Sequence, residues 1–284
     1  MSLSLGDIST LFGTAASQTS TGSLLQILYG GATQSAASGG NPLPALSQAE
    51  ANQTKDIQTT AQQPAVARAI SQFTAAVKSA TSVKQLLQNP AVLQVLLTAN
   101  GLGDQTQYTA LAQKALTSDP GDPKSLVNQL SNTAWKSAAQ TYDFATKGLS
   151  TIQQPSVIST IANAYAEVTW RNSLDATTPG LSNALAFRQE ASGITSVDQI
   201  LGDPVLRTVV TTALGIPEQI AFQPLEAQER AISSQVNISR FKDPHFVETF
   251  TQQYLLAAGQ AASSTSSTAT DLSTLAAQSQ GLVV

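Results

Sequence analysis

A chain of 284 residues with 42% apolar content is long enough to bury a sizeable core. Charged residues make up only 11% and the net charge is −4, which argues against binding by phosphate neutralisation: no Lys/Arg run supplies a basic patch. Cysteine is absent, which excludes disulfides, zinc–thiolate sites and thiol nucleophiles.

The opening stretch MSLSLGDISTLFG has no basic segment and carries Asp7 early, so it reads as a poor signal peptide; export, if it occurs, is expected by a leaderless route. No run approaches the roughly 18 apolar residues that a membrane span needs, the longest being Val92 to Ala99 with Gln94 inside it. Leu5, Ile8, Leu11 and Phe12, then Leu24, Leu25, Ile27 and Leu28, fall at helical spacing and predict an amphipathic N-terminal arm ordered against a partner. The segment QSAASGGNPLPALSQ, Gln34 to Gln48, reads as a linker because Gly, Pro and small polar residues gain little on ordering. Arm and linker together occupy 1–49.

From Thr81 the chain states a phrase that it later repeats. Thr81 to Gln105 and Thr195 to Gln219, offset by 114 without a gap, share 11 identities in 25 positions. Each copy opens on an S-x-x-Q capping box, Ser82 with Gln85 and Ser196 with Gln199, in which a hydroxyl accepts from an early helix N–H and the amide reaches back. Asn89-Pro90 and Asp203-Pro204 then place an N-cap before a proline at the first helical position. The helices so started carry Val92, Val95, Leu96 and Ala99 in one copy and Leu206, Val209, Val210 and Ala213 in the other, an i, i+3, i+4, i+7 stripe. Gly101 and Gly215 stand where a left-handed C-terminal cap is needed. Further on, Leu130 to Trp135 matches Phe241 to Phe246 at an offset of 111, which predicts Trp135 and Phe246 in equivalent core positions and a helix start at Asp243-Pro244.

Between the copies, Ile158, Ile161, Ala162, Tyr165 and Val168 form a helical stripe after Gln154-Pro155, and Leu181, Ala184, Leu185 and Arg188 another after Pro179. The end of the chain, Ala261 to Val284, holds a single charge and the anchors Leu272, Leu275 and Leu282. No stretch alternates with period two. The expected fold is therefore all-α: two related helical units, 50–148 and 156–258, packed as one body with pseudo-twofold symmetry. Residues 149–155 connect them, and 259–284 form a low-complexity, partly helical C-terminal arm.

Chemistry has few candidates. Acid–base and nucleophilic catalysis favour His, Cys or close carboxylates, and the single histidine, His245, reads as a surface residue at a helix start. Asp119, Asp122 and Lys124 lack the alternating ligands and closing Glu of a calcium loop; the two aspartates read instead as caps before Pro120 and Pro123. Gly101 to Gln105 follows a helix and lacks the lysine of a phosphate-binding loop, and the sequons at Asn52 and Asn237 are short enough to arise by chance. The aromatics Phe73, Tyr108, Trp135, Tyr142 and Phe144, with Phe187, Phe222, Phe246 and Tyr254 in the second copy, are read as core packing. No catalytic residue, cofactor site or metal site is predicted.

The phrases SVKQLLQNPAVLQVLLTANGLGDQ, DPKSLVNQLSNTAWKSAAQTYDF, ALAFRQEASGITSVDQILGDPVLRTVVTTALGIPEQ and FKDPHFVETFTQQY, in that order over roughly 50–258, resemble the bacterial family known as domain of unknown function 1217. That resemblance implies no catalytic residue; it implies an association with flagellar gene clusters, and so a part in flagellar structure or assembly. The low charge, the absence of cysteine and the Ala/Ser/Thr/Gln-rich ends agree with proteins of the flagellar axis. The expectation is a non-enzymatic structural or assembly protein at the flagellum, its partners flagellar or secretion-apparatus proteins, with self-association through the terminal arms. An exported interaction or effector protein is the alternative.

Overall fold

In a computed structural model, residues 41–280 are described, with side chains to Ser263. The N-terminal arm expected before residue 41, and Leu272, Leu275 and Leu282 as side-chain anchors, lie outside the described residues. Helix α1 (Pro42–Gln62) begins where the Asn41 side chain accepts from the Leu43 N–H at 3.1 Å, with Pro42 at the first helical position. It buries Leu46 and Ala49. The linker expected to Gln48 is thus helical from Pro42 onward, and the reason was in the sequence: Asn41-Pro42 is the same start signal as Asn89-Pro90. Pro64 then cannot continue α1, and the chain turns at Gln63 into α2 (Pro64–Ser79), which buries Val66, Phe73 and Val77 along one face.

The first phrase forms α3 (Val83–Leu87), α4 (Pro90–Ala99) and a 3-10 turn at Gly103–Gln105, followed by α5 (Thr109–Leu116), α6 (Leu126–Gln129), α7 (Thr133–Tyr142) and α8 (Phe144–Lys147). Next come the long α9 (Pro155–Leu174) and α10 (Leu181–Glu190). The second phrase forms α11 (Val197–Gly202), α12 (Pro204–Ala213) and a 3-10 turn at Glu218–Phe222, followed by α13 (Leu225–Ser233), a 3-10 turn at Ile238–Lys242 and α14 (Pro244–Gln280). Among the described residues there is no strand; the protein is all-α.

The predicted punctuation is visible atom by atom. Ser82 and Ser196 accept from the Gln85 and Gln199 N–H groups at 3.2 and 3.3 Å. The Gln199 side chain accepts from Thr195 N and, at longer range, from Ser196 N, completing the box. Gln85 reaches only the preceding residue, Thr81, so the first box is displaced by one position. Gly101 and Gly215 adopt φ of +72° and +64°. Behind each, the next amide closes onto the helix five residues back, Leu102 N to Leu97 O and Ile216 N to Thr211 O, both 2.8 Å. This left-handed stop turns the chain and drives Leu102 and Ile216 inward, both buried.

Two hydrophobic clusters make the core. The first gathers α2 to α8 with Ile158, Ile161, Tyr165 and Ala166 of α9; the second gathers Trp170 of the same helix with α10 to α14 and with Leu46 and Ala49 of α1. Ile57 of α1 packs against both. Helices α1 and α9 therefore run through both clusters. Arg188 on α10 meets Glu50 on α1 at 2.8 Å, both a third exposed, a contact worth about 1 kcal/mol at most.

Helices α7 and α14 show where the expected register slips. Their N-caps, Asn132 and Asp243, are offset by 111 as predicted. Their buried faces are offset by 112: Trp135, Ala138, Ala139 and Tyr142 against Val247, Phe250, Thr251 and Tyr254. Phe246 is only partly buried, because Phe187, Phe241 and Phe250 already fill the centre with mutually tilted rings 5.3 to 5.7 Å apart. It lies at the margin under the Arg240 guanidinium, 4.0 Å from its centroid.

Candidate functional site

A cleft of about 550 Å³ opens between α4 and α7 on one side and the α10–α12 segment on the other. Asn100, Thr133 and Ser137 stand on the first wall; Glu190, Gln199 and Asp203 on the second. The walls meet where Thr133 Oγ1 donates to the Gly202 carbonyl at 3.3 Å. A Cβ at position 202 would stand 2.7 Å from Thr133 Cγ2 and 3.3 Å from the Ser131 carbonyl, so the approach needs a glycine. The first phrase has Gln88 at the matching position.

Several polar groups of the cleft are already engaged. Asn100 donates to the Leu96 carbonyl and to the Tyr142 hydroxyl at 2.6 and 2.9 Å, and burial pushes the Tyr142 hydroxyl above its ordinary pKa, the Asn100 bond opposing. Asp203 Oδ1 accepts from the Val205 and Leu206 amides at 2.8 and 2.9 Å as the cap of α12. Gln189 bridges Glu167 and Arg171. Glu190 is exposed as a residue, but its carboxyl faces the cleft, where desolvation first and Asp203 second raise its pKa while Arg171 opposes. The arrangement suits a group that accepts or donates hydrogen bonds at a wetted, mildly acidic wall.

A second concavity, about 600 Å³, runs between the end of α12 and α14, lined by Thr212, Leu214, Thr249, Gln253 and Leu256 among others. Gln253 Nε2 donates across it to the Ala213 carbonyl at 2.8 Å. Leu256 stands half in solvent.

His245 is exposed at the first turn of α14, as expected. Asp119 and Asp122 accept from the Gly121 and Lys124 amides at 2.8 and 2.9 Å, each closing a turn rather than starting a helix. Asn128 ties that loop down by donating to the Pro120 and Asp122 carbonyls. Asn237 spends its side chain on Ser239, and Asn52 lies within α1. The cleft brings together none of these. Among the described residues no three His, Asp or Glu side chains are grouped to hold a metal, and no helix is long and apolar enough to cross a membrane.

The aromatics correct the sequence reading in part. Phe73, Trp135, Tyr142, Phe144, Phe187 and Tyr254 are buried, but Tyr108 is 52% and Phe222 88% exposed. The two are related by the offset of 114. Each comes after a left-handed glycine stop, Tyr108 just beyond a 3-10 turn and Phe222 at the end of one, which carries it past the end of the core helix and out to solvent. Sequence reasoning also missed Glu190 and Asp203 as neighbours. The available signal was a charge difference between the two phrases, Asp203 standing where the first has Asn89.

Capped helices packed around two clusters that share α1 and α9 define an all-helical protein. The chain belongs to the family described as protein of unknown function DUF1217, whose profile matches residues 99–247. A crystal structure of an Agrobacterium tumefaciens protein has the same fold, with a TM-score of 0.67 at 22% identity over 80% of this chain and 96% of that one. No curated protein matches the sequence.

Proposed function

We propose that this chain is a non-enzymatic structural or assembly protein of the bacterial flagellum, working by contacts between helical surfaces. The observation that carries the reading is α14. It begins inside the second cluster with Val247, Phe250, Tyr254 and Leu255 buried, then continues for 25 further residues to Gln280, about 55 Å in all at 1.5 Å per residue. Ala261 to Gln280 is rich in Ala, Ser and Thr with one charge, Asp271. Most helical stability in proteins comes from packing an apolar face rather than from propensity, so such a helix gains from a partner laid along it. The exposed Leu256 and the concavity beside it mark where that contact begins.

The same reading includes an internal duplication. It is supported by the paired cap residues, the paired glycine stops and the paired exposed aromatics, and a crystal structure in which 81–105 superposes on 195–219 would test it. For the function, the gene is deleted, motility is scored, and tagged protein is fractionated in the parent strain. Loss of swimming with the protein in the flagellar fraction is the expected result. Normal swimming with protein in the culture supernatant would transfer the reading to an exported interaction protein, and normal swimming with cytosolic protein would sink both.

A further inference from the structure

The two exposed aromatics stand in different electrostatic surroundings. Phe222 ends the 3-10 turn at Glu218–Phe222, and Leu225, 52% exposed, opens α13 three residues later. The Gln228 amide donates to the Gln223 carbonyl at 2.8 Å and to the Ala221 carbonyl at 3.4 Å, so turn and helix are held together beneath the two side chains. Acids flank them. Glu218 and Glu226 are exposed, and α11, which carries Asp198, packs against α13, which carries Glu229. Within α11 and residues 218–233 the one cation is Arg230.

The first copy is an internal control. Tyr108 repeats the aromatic step and Asp104 stands where the second copy has Glu218, but at the same offset from Asp198, Glu226 and Glu229 it has Lys84, Ala112 and Ala115. Three of the four acids thus stand only around Phe222. Both side chains stand out in solvent, Phe222 88% and Leu225 52% exposed. A small molecule would find little to surround it there; a polypeptide with complementary charge would cover it.

We infer that Phe222 and Leu225, rimmed by Glu218, Glu226, Glu229 and Asp198, form a docking surface for a basic, amphipathic helical segment of another protein. The charge sets the occupant: cationic residues answer the rim while apolar residues of the same segment cover the two side chains. This chain has 14 Lys and Arg in 284 residues and no run of them, so the segment belongs to a different protein. Two carboxyls brought together on the free surface support the assignment. The neighbouring Asp198 carboxyl first, then burial and the charge of Glu226, raise the pKa of Glu229. An arriving cation relieves that repulsion. The inference rests on the reading that the chain acts through protein contacts, but it is tested in solution, so its failure leaves the deletion experiment above undisturbed.

The test uses the full chain and a labelled 18-residue helical peptide of Lys and Leu at amphipathic spacing, with a Glu/Leu peptide of the same pattern as its counterpart. Fluorescence anisotropy is expected to show saturable binding of the Lys/Leu peptide alone, weakening with salt. Phe222→Ala should weaken it about tenfold or more, as for an aromatic at the centre of an interface. E226Q/E229Q should weaken it and flatten the salt dependence. Tyr108→Ala should leave it unchanged, as should D119N/D122N, which removes two charges while Asn can still close both turns. Melting temperatures close to the parent's are expected for all four variants, since the altered side chains are exposed or only partly buried. Absence of binding, equal losses from the E226Q/E229Q and D119N/D122N variants, or no loss in Phe222→Ala would overturn the assignment. So would a concentration-dependent dimer in sedimentation that Phe222→Ala abolishes, because the occupant would then be a second copy.

Discussion

At the scale of single residues, the helical period picked out part of the buried face. Val92, Val95 and Leu96 are all but inaccessible, as the stripe predicts, but Leu93 and Leu97 outside it are buried too, and Ala99 inside it only in part. Aromatic character alone placed Phe73 and Trp135 in the core, but it failed beyond the helix ends. Tyr108 and Phe222 are as apolar as their neighbours, but a 3-10 turn decides which way they point, and no spacing rule announces it. Glu190 is a further case: burial first, then Asp203 at the cap of α12, raises its pKa while Arg171 on α9 opposes, and neither partner is adjacent in sequence. Its folded pKa lies above the ordinary glutamate value of 4.5, so between those two values the folded state holds more protons than the unfolded one. Stability contributed by this group is therefore lost as pH rises through that window, and at neutral pH the full penalty of the ionised carboxylate is present. Glu190→Gln is expected to be more stable than the parent at pH 7 in urea titrations, with the advantage shrinking toward pH 4. An advantage that grew on acidification would refute the assignment.

At the scale of elements, starts and stops were the best-read features, since a cap is a local bargain between a side chain and orphan amides within three residues. Asn89, Asn132, Asp203 and Asp243 all cap the helices that follow them. The error over 42–48 came from weighing composition above punctuation, for Asn41-Pro42 carried the same signal. What the sequence could not show was contact between elements. The approach of α11 to the start of α7 depends on Gly202, where an added Cβ would lie 2.7 Å from Thr133 Cγ2 and 3.3 Å from the Ser131 carbonyl. Gly202→Ala should cost about 1–3 kcal/mol, the usual penalty of overpacking. Adding Thr133→Ser, which removes the offending methyl but keeps the hydroxyl that bonds the Gly202 carbonyl, should restore part of it. Chemical denaturation of the two single variants and the double variant measures the coupling. Strictly additive losses would mean that the two walls of the cleft do not press on each other here.

At the scale of the whole molecule, the repeated phrase led to the expectation of two related units, but it gave no hint that the two hydrophobic clusters draw on shared helices. Helix α9 lends Ile158, Ile161 and Tyr165 to one cluster and Trp170 to the other, and Ile57 on α1 touches both. Opening either cluster would strip one side of α9 and expose apolar area worth about 25 cal/mol per Å² on that shared helix. The two clusters are therefore expected to unfold as one cooperative unit. The chain supplies its own probes, because its two tryptophans fall one to each cluster, Trp135 in the first and Trp170 in the second. Trp135→Phe and Trp170→Phe leave single reporters on opposite sides of α9. In each variant, tryptophan fluorescence and far-ultraviolet circular dichroism should give coincident urea transitions, although the two variants differ in midpoint because the substitutions differ in cost. A fluorescence midpoint that parts from the dichroism midpoint in either variant would show that one cluster opens while the other persists. α1 and α9 would then be a hinge between two domains, not the spine of one.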